Sequence, residues 1–283
     1  MLVMGLVSAC NRGDTQTEAT ATTGDDLPPR QLFGVELHPQ SRALLAEIEK
    51  HYGKRLREEV KSNLDYSYYA ALSSVDSDGT PSIRMDSDVP ATEATIVHEL
   101  LHIKLYSKGF PVIRLDYPQS LNTERQQAQV RYIVAMIYDA IIHSIIYPQA
   151  HEMGLKPEES LHSQLDLIMA DQFEDYAGVP RQDVRTIYYL NAALLLDDRE
   201  LFERVTDAYI RRHWYESVAI GRVLADMVAA AKPSTPEEVV FVLLRCLEVI
   251  QHEVNNFELE AWQNEKRGEH ILRRAVIKVI PQH

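Results

Sequence analysis

The residues best suited to chemistry in this sequence are two histidines and a glutamate, which form the pattern His-Glu-x-x-His at positions 98–102. If the segment is helical, His98 and His102 lie one turn apart on one face, where both rings can reach a single metal ion. Glu99 then projects close enough to polarise a water molecule on that ion. The spacing therefore predicts a zinc site.

The residues around this pattern predict a buried helix. Ala91 or Thr92 can begin a helix that runs to about Lys108 and stops at Gly109, with Pro111 beyond it. Apolar residues occur on all sides of the stretch, as expected for a helix in the centre of a core. Histidines and a glutamate inside such a helix are costly without partners, which favours a metal ion over two histidines that serve only in packing.

A third ligand has to come from another element, because catalytic zinc sites use three protein ligands and leave one position open. An apolar helix is predicted from about Leu121 to Tyr147, with Pro148 ending it. In its second half, Asp139 and His143 share one face and are the only ionisable groups apart from tyrosine hydroxyls. We predict His143 as the third ligand, with Asp139 as the alternative. Whichever of these two residues does not bind zinc would orient a ligand. Alternatively, Asp139 and His143 form a hydrogen bond only with each other.

The same helix also has the composition of a membrane span. Its apolar run is short for one, and two ionisable groups near the middle make insertion expensive. We therefore predict a buried core helix.

The pattern resembles that of the zincin metallopeptidases. His98, Glu99 and His102 match the family motif residue for residue, and the predicted strand before the motif helix is similar to the family's arrangement. The resemblance covers about residues 55–150. It implies a catalytic zinc held by the two histidines, with Glu99 as the general base that assists a zinc-bound water in attacking a peptide bond.

Further roles follow from this resemblance. Three residues near the predicted third ligand are candidates for stabilising the oxyanion, namely Tyr138, Tyr147 and His151. By analogy with the fold, Ser82 to Met85 can form an edge strand that binds a peptide by strand addition.

The remaining patterns predict a mostly α, α+β fold, with a small β-sheet next to the motif helix. Three strands are predicted in that sheet, over Leu56–Val60, Tyr66–Ser73 and Ser82–Met85, and residues 110–120 form a connection. An amphipathic helix from Pro39 to Tyr52 precedes the sheet. Six helical patterns follow the apolar helix, over Pro157–Asp175, Val184–Leu196, Arg199–Trp214, Ser217–Ala231, Pro236–Glu253 and Phe257–Ile280.

Three regions are predicted along the chain. Residues 1–30 form a signal and a disordered tether, residues 31–152 a zincin-like metal-binding region, and residues 153–283 an α-helical extension packed on it. Val7-Ser8-Ala9-Cys10 follows an apolar start and resembles the lipobox of bacterial lipoproteins, which implies cleavage before Cys10 and lipid on its sulfur. Residues 11–30 are nearly free of large apolar side chains, as in a flexible tether. We predict a membrane-anchored lipoprotein of the cell envelope; the alternative is a cytoplasmic protein with an irregular N-terminus.

The formal net charge of −13 argues against binding nucleic acid through a broad basic face. Two classes of function stay open. The first is a zinc-dependent hydrolase, expected to be a metallopeptidase acting on a peptide or protein, although another amide is a possible substrate. The second is a lipid-anchored binding or assembly protein of the envelope with a structural or vestigial metal site. An open coordination position distinguishes the two.

Overall fold

The computed structural model describes residues 28–62, 71–172, 178–250 and 255–281, without the side chains of Glu159, Ser160 and Ser163. Cys10 and its predicted cleavage site lie outside these residues, and the lipid anchor stays a prediction. In the described ranges the chain is α+β and mostly helical, as predicted. The helices are α1 Pro39–Tyr52, α2 Glu93–Ser107, α3 Glu124–Glu152, α4 Glu159–Met169, α5 Arg181–Leu195, α6 Arg199–Arg211, α7 Tyr215–Ala231 and α8 Pro236–Ile250. The strands are β1 Gln31–Leu32, β2 Val35–Glu36, β3 Arg57–Lys61, β4 Ala71–Val75, β5 Pro81–Asp86, β6 Val112–Asp116, β7 Asn255–Arg267 and β8 His270–Pro281.

The motif helix α2 forms as the sequence predicts. The Thr92 side chain caps it by accepting a hydrogen bond from the backbone N–H of Thr95 (3.1 Å). Gly109 follows its end in the left-handed region, with φ of 84°. The apolar residues of the helix are buried on several sides, against α1, α3 and β4. The core thus fixes the position and rotation of the helix that carries the histidine pair.

A three-stranded sheet packs beside α2 in the order β3-β5-β4. A turn connects β4 to β5, and in it the N–H of Asp76 donates to the carbonyl of Thr80 (2.9 Å). The prediction that Ser82 to Met85 form an edge strand is wrong, because β5 pairs with β3 on one side and β4 on the other. Consecutive buried residues such as Ser82 and Ile83 fit this central position. Part of the strand predicted before Ser73 lies outside the described residues.

The long helix α3 was predicted to end at Pro148 but continues to Glu152. A proline removes one helical hydrogen bond, and packing can compensate for that loss. Here Tyr147 and Ala150 on either side of the proline are buried. The N–H groups of Met153 and Leu155 both donate to the carbonyl of Ala150, at 3.0 Å each, and close the last turn. Tertiary contacts therefore stabilise one more turn than the local sequence predicts.

Within the described ranges, α3 is the one helix long and apolar enough to cross a membrane. Most of its apolar window is buried in the protein, and α3 packs against α2, α5 and α8. The core helix of a soluble protein meets the same criteria, which agrees with the predicted burial.

The predicted helix over Phe257–Ile280 is wrong, because these residues form the hairpin of β7 and β8. Gly268 makes the turn, with φ of 58°. β8 is the central strand of a second sheet, paired with β7 in antiparallel and with β6 in parallel orientation. The predicted connection over residues 110–120 therefore contains a strand. β6 belongs to the predicted region 31–152, whereas β7 and β8 belong to the predicted extension, so the two regions share one sheet.

The tip of the hairpin contacts the turn between β4 and β5. The N–H of Gly268 donates to the carbonyl of Ser77 (3.1 Å), and the two backbones approach closely at Gly79. A Cβ atom on Gly79 would lie 2.7 Å from the carbonyl oxygen of Arg267. The hairpin thus holds both the strand after α2 and the turn that leads into β5.

Candidate metal centre

Helices α2 and α3 bring three histidine side chains together. His98 and His102 extend from one face of α2, and their Nε2 atoms are 3.1 Å apart. His143 on α3 faces them, with its ring centroid 4.7 Å from that of His98 and 5.5 Å from that of His102. One ligand atom from each of the three rings lies within 4.8 Å of the others. The three histidines can therefore hold a metal ion.

The separations of the ligand atoms can be compared with those in a tetrahedral zinc site. Two nitrogens bound to one tetrahedral zinc at 2.0–2.1 Å are about 3.3 to 3.4 Å apart. The pair on α2 is near this separation, whereas the ligand atom of the ring on α3 lies within 4.8 Å of the pair. Without an ion, the same short distance corresponds to a hydrogen bond between the two rings of α2. The donor set is three imidazole nitrogens, which is a known set for catalytic zinc.

The three rings are neutral near pH 7, as metal ligands have to be. Burial lowers the pKa of His98 to about 4. Burial also holds the pKa of His102 and of His143 well below the ordinary histidine value, and the neighbouring histidines lower both further. Each ring can thus offer a nitrogen lone pair without first losing a proton to solvent.

Glu99 lies beside the histidines, with its Oε1 3.9 Å from Nε2 of His98. It is 7% exposed, so its carboxylate is almost shielded from water. Burial raises the pKa of Glu99 to about 7, and the negative charge of Asp139 contributes to the increase. Hydrogen bonds from Ser73 act in the opposite direction. A group with this pKa can both accept and release a proton near neutral pH.

The structure separates the two candidates for the third ligand. Among the described residues, His143 belongs to the group whose ligand atoms can share one ion, and Asp139 does not. Asp139 lies one turn earlier on α3, where its charge acts on Glu99, Tyr106 and Tyr138. The assignment of ligands stays a prediction.

The three residues suggested for the oxyanion have different surroundings. Tyr147 is buried and stacks on His143, with ring centroids 5.1 Å apart and planes inclined by 18°. The hydroxyl of Tyr138 donates to the backbone carbonyl of Pro111. His151 is held between Glu158, at 2.7 Å from Nε2, and Asp197, at 3.2 Å from Nδ1. Of the three, Tyr147 is in ring contact with two histidines of the cluster, His98 and His143.

Sequence reasoning missed Ser73 and Tyr106, which interact with Glu99 from strand β4 and from two turns further along α2. A serine in a short strand carries no pattern that points to a glutamate in a later helix. Comparison with protein families, curated proteins and solved structures finds no match to this chain. The function has to be argued from the site itself.

Proposed function

We propose that this protein is a zinc-dependent metallopeptidase, with zinc bound by His98, His102 and His143. The observation that supports this best is the convergence of three neutral imidazoles from two helices with a buried carboxylate beside them. A ligand set that is only structural has no need of that carboxylate. We further propose that α2, α3 and the β3-β5-β4 sheet constitute a zincin-like core.

In this proposal Glu99 moves the proton. Zinc bound by the three histidines would supply Lewis-acid activation of water and of the scissile carbonyl. The Glu99 carboxylate accepts the proton of the attacking water and passes it to the leaving amine. Its low exposure limits competition from bulk water, and its pKa of about 7 suits both transfers. The substrate is a peptide or an unstructured protein segment.

Glu99→Gln is expected to keep zinc and lose hydrolysis. The amide preserves the size of the side chain but cannot accept the proton, so the rate should fall by about 10²- to 10⁴-fold. The measurement is the initial rate on fluorescein-labelled casein, beside the zinc content of both proteins. Glu152→Gln is the matched control, since Glu152 also follows a histidine but is exposed at the end of α3.

Three results would contradict parts of the proposal. A parent protein that stays free of zinc after exposure to it excludes a zinc enzyme. Bound zinc with no hydrolysis in the parent favours the alternative function, a binding or assembly protein with a structural metal site. Equal hydrolysis by the parent and Glu99→Gln would remove Glu99 from the mechanism.

A further inference from the structure

Of the strands in the β3-β5-β4 sheet, β4 lies closest against the motif helix α2. From this strand Ser73 acts on the Glu99 carboxylate, since hydrogen bonding by its hydroxyl and by its backbone N–H lowers the pKa of that group. The Ser73 hydroxyl is also hydrogen-bonded to Tyr106. A hydroxyl has one proton to donate, so Tyr106 donates to the Ser73 oxygen when Ser73 donates to the carboxylate.

The register of the sheet explains why the Ser73 N–H is available. Ser73 lies opposite Ile83, and Ser74 lies opposite Ser82. Two residues beyond Ser74, the N–H of Asp76 donates to the carbonyl of Thr80, so Ser74–Ser82 is also a hydrogen-bonded pair of the ladder. In an antiparallel ladder, bonded pairs alternate with pairs whose N–H and C=O groups point outward. Ser73 belongs to an outward pair, which leaves its N–H free for Glu99.

Both donors are fixed before any substrate arrives. The N–H belongs to the backbone of a paired strand, and the hydroxyl is oriented by Tyr106 from the same helix as Glu99. Asp139, by contrast, repels the carboxylate from the side of α3. Two donors on one side and a like charge on the other restrict the directions that the Glu99 carboxylate can take.

We propose that Ser73 is a positioning residue, which holds the Glu99 carboxylate in the orientation that receives the proton of the attacking water. This inference rests on the proposed peptidase function. Ser73 itself does not touch the reacting atoms. Its hydroxyl contributes by keeping the general base in place at every turnover, and its backbone N–H does so independently of the side chain.

Ser73→Ala removes the hydroxyl and leaves the N–H. With zinc-loaded protein and fluorescein-labelled casein, we expect kcat to fall by about 10- to 100-fold, as for a lost hydrogen bond to a charged group. KM should change by less than about 2-fold, and zinc content should stay the same, because substrate and metal contacts are retained. Ser73→Thr, which keeps a hydroxyl, should restore most of the rate.

Ser74→Ala is the matched control on the same strand. Its hydroxyl is 2.7 Å from that of Ser82 and has no contact with Glu99 among the bonds described. Its kcat should match that of the parent. An equal loss in Ser74→Ala, or a Ser73→Ala variant with unchanged kcat, would overturn the inference.

A second measurement needs no catalysis. In zinc-free protein, urea unfolding gives the unfolding equilibrium constants of Ser73→Ala, Glu99→Ala and the double variant. The effect of the double variant should differ by about 10-fold from the product of the two single effects. Additive effects in an active protein overturn the role of Ser73 while the peptidase proposal stands. A parent that does not cleave casein overturns both, whatever the cycle reports.

Discussion

Replacing His143 by alanine is expected to weaken zinc binding by a factor on the order of 10³ or more, because it removes one of three ligands. Asp139→Ala should weaken it by at most about 10- to 100-fold, the usual cost of losing a group that only orients a ligand. The difference follows from the geometry, which brings the ring on α3 to the pair on α2 and leaves the carboxylate one turn away. Competition with a chromophoric zinc chelator measures both affinities.

His151→Ala provides the control for this series. It removes a histidine from the same helix, but one that is engaged by Glu158 and Asp197. Its zinc affinity should equal that of the parent. If Asp139→Ala loses zinc while His143→Ala retains it, the assignment of the third ligand is reversed.

The second large effect is expected at the tip of the C-terminal hairpin. A Cβ atom on Gly268 would overlap the backbone carbonyl of Asp78, beside the hydrogen bond from the Gly268 N–H to the carbonyl of Ser77. The left-handed φ adds a further cost for alanine. We expect Gly268→Ala to lower the free energy of unfolding by roughly 3 kcal/mol or more. Urea unfolding of the zinc-free protein measures it.

Gly53→Ala separates the cost of the steric overlap from the cost of the left-handed backbone conformation. Gly53 ends α1 with φ of 63°, close to that of Gly268, and no atom lies within 4 Å of its added Cβ. It should therefore lose only about 1 kcal/mol, the cost of the backbone conformation. If the two variants are equally stable, the hairpin tip does not pack against the β4–β5 turn as the structure has it.

The parts of the site that sequence reasoning predicted depend on local patterns. The spacing of His98 and His102 needs only a helix to place both rings on one face, and the surrounding apolar residues specify that helix. His143 was a candidate because an ionisable group in an apolar helix requires a partner, and the structure places it beside His98 and His102. These arguments use one element at a time, and the two helices meet because both are buried in the same core.

The parts that sequence reasoning missed depend on contacts between distant segments. Residues 257–280 combine helix-forming side chains with β-branched ones, and pairing with β6 decides in favour of strands. The extension of α3 past Pro148 likewise depends on the burial of Tyr147. Ser73 reaches Glu99 only through the packing of β4 on α2, for which no sequence spacing exists.

The central claim is that three histidines bind one zinc ion, and X-ray absorption at the zinc edge tests it most directly. Protein loaded with one equivalent of zinc should show three imidazole nitrogens at about 2.0–2.1 Å and one further light ligand. A spectrum with sulfur in the first shell, or without imidazole scattering, would contradict a site formed by His98, His102 and His143.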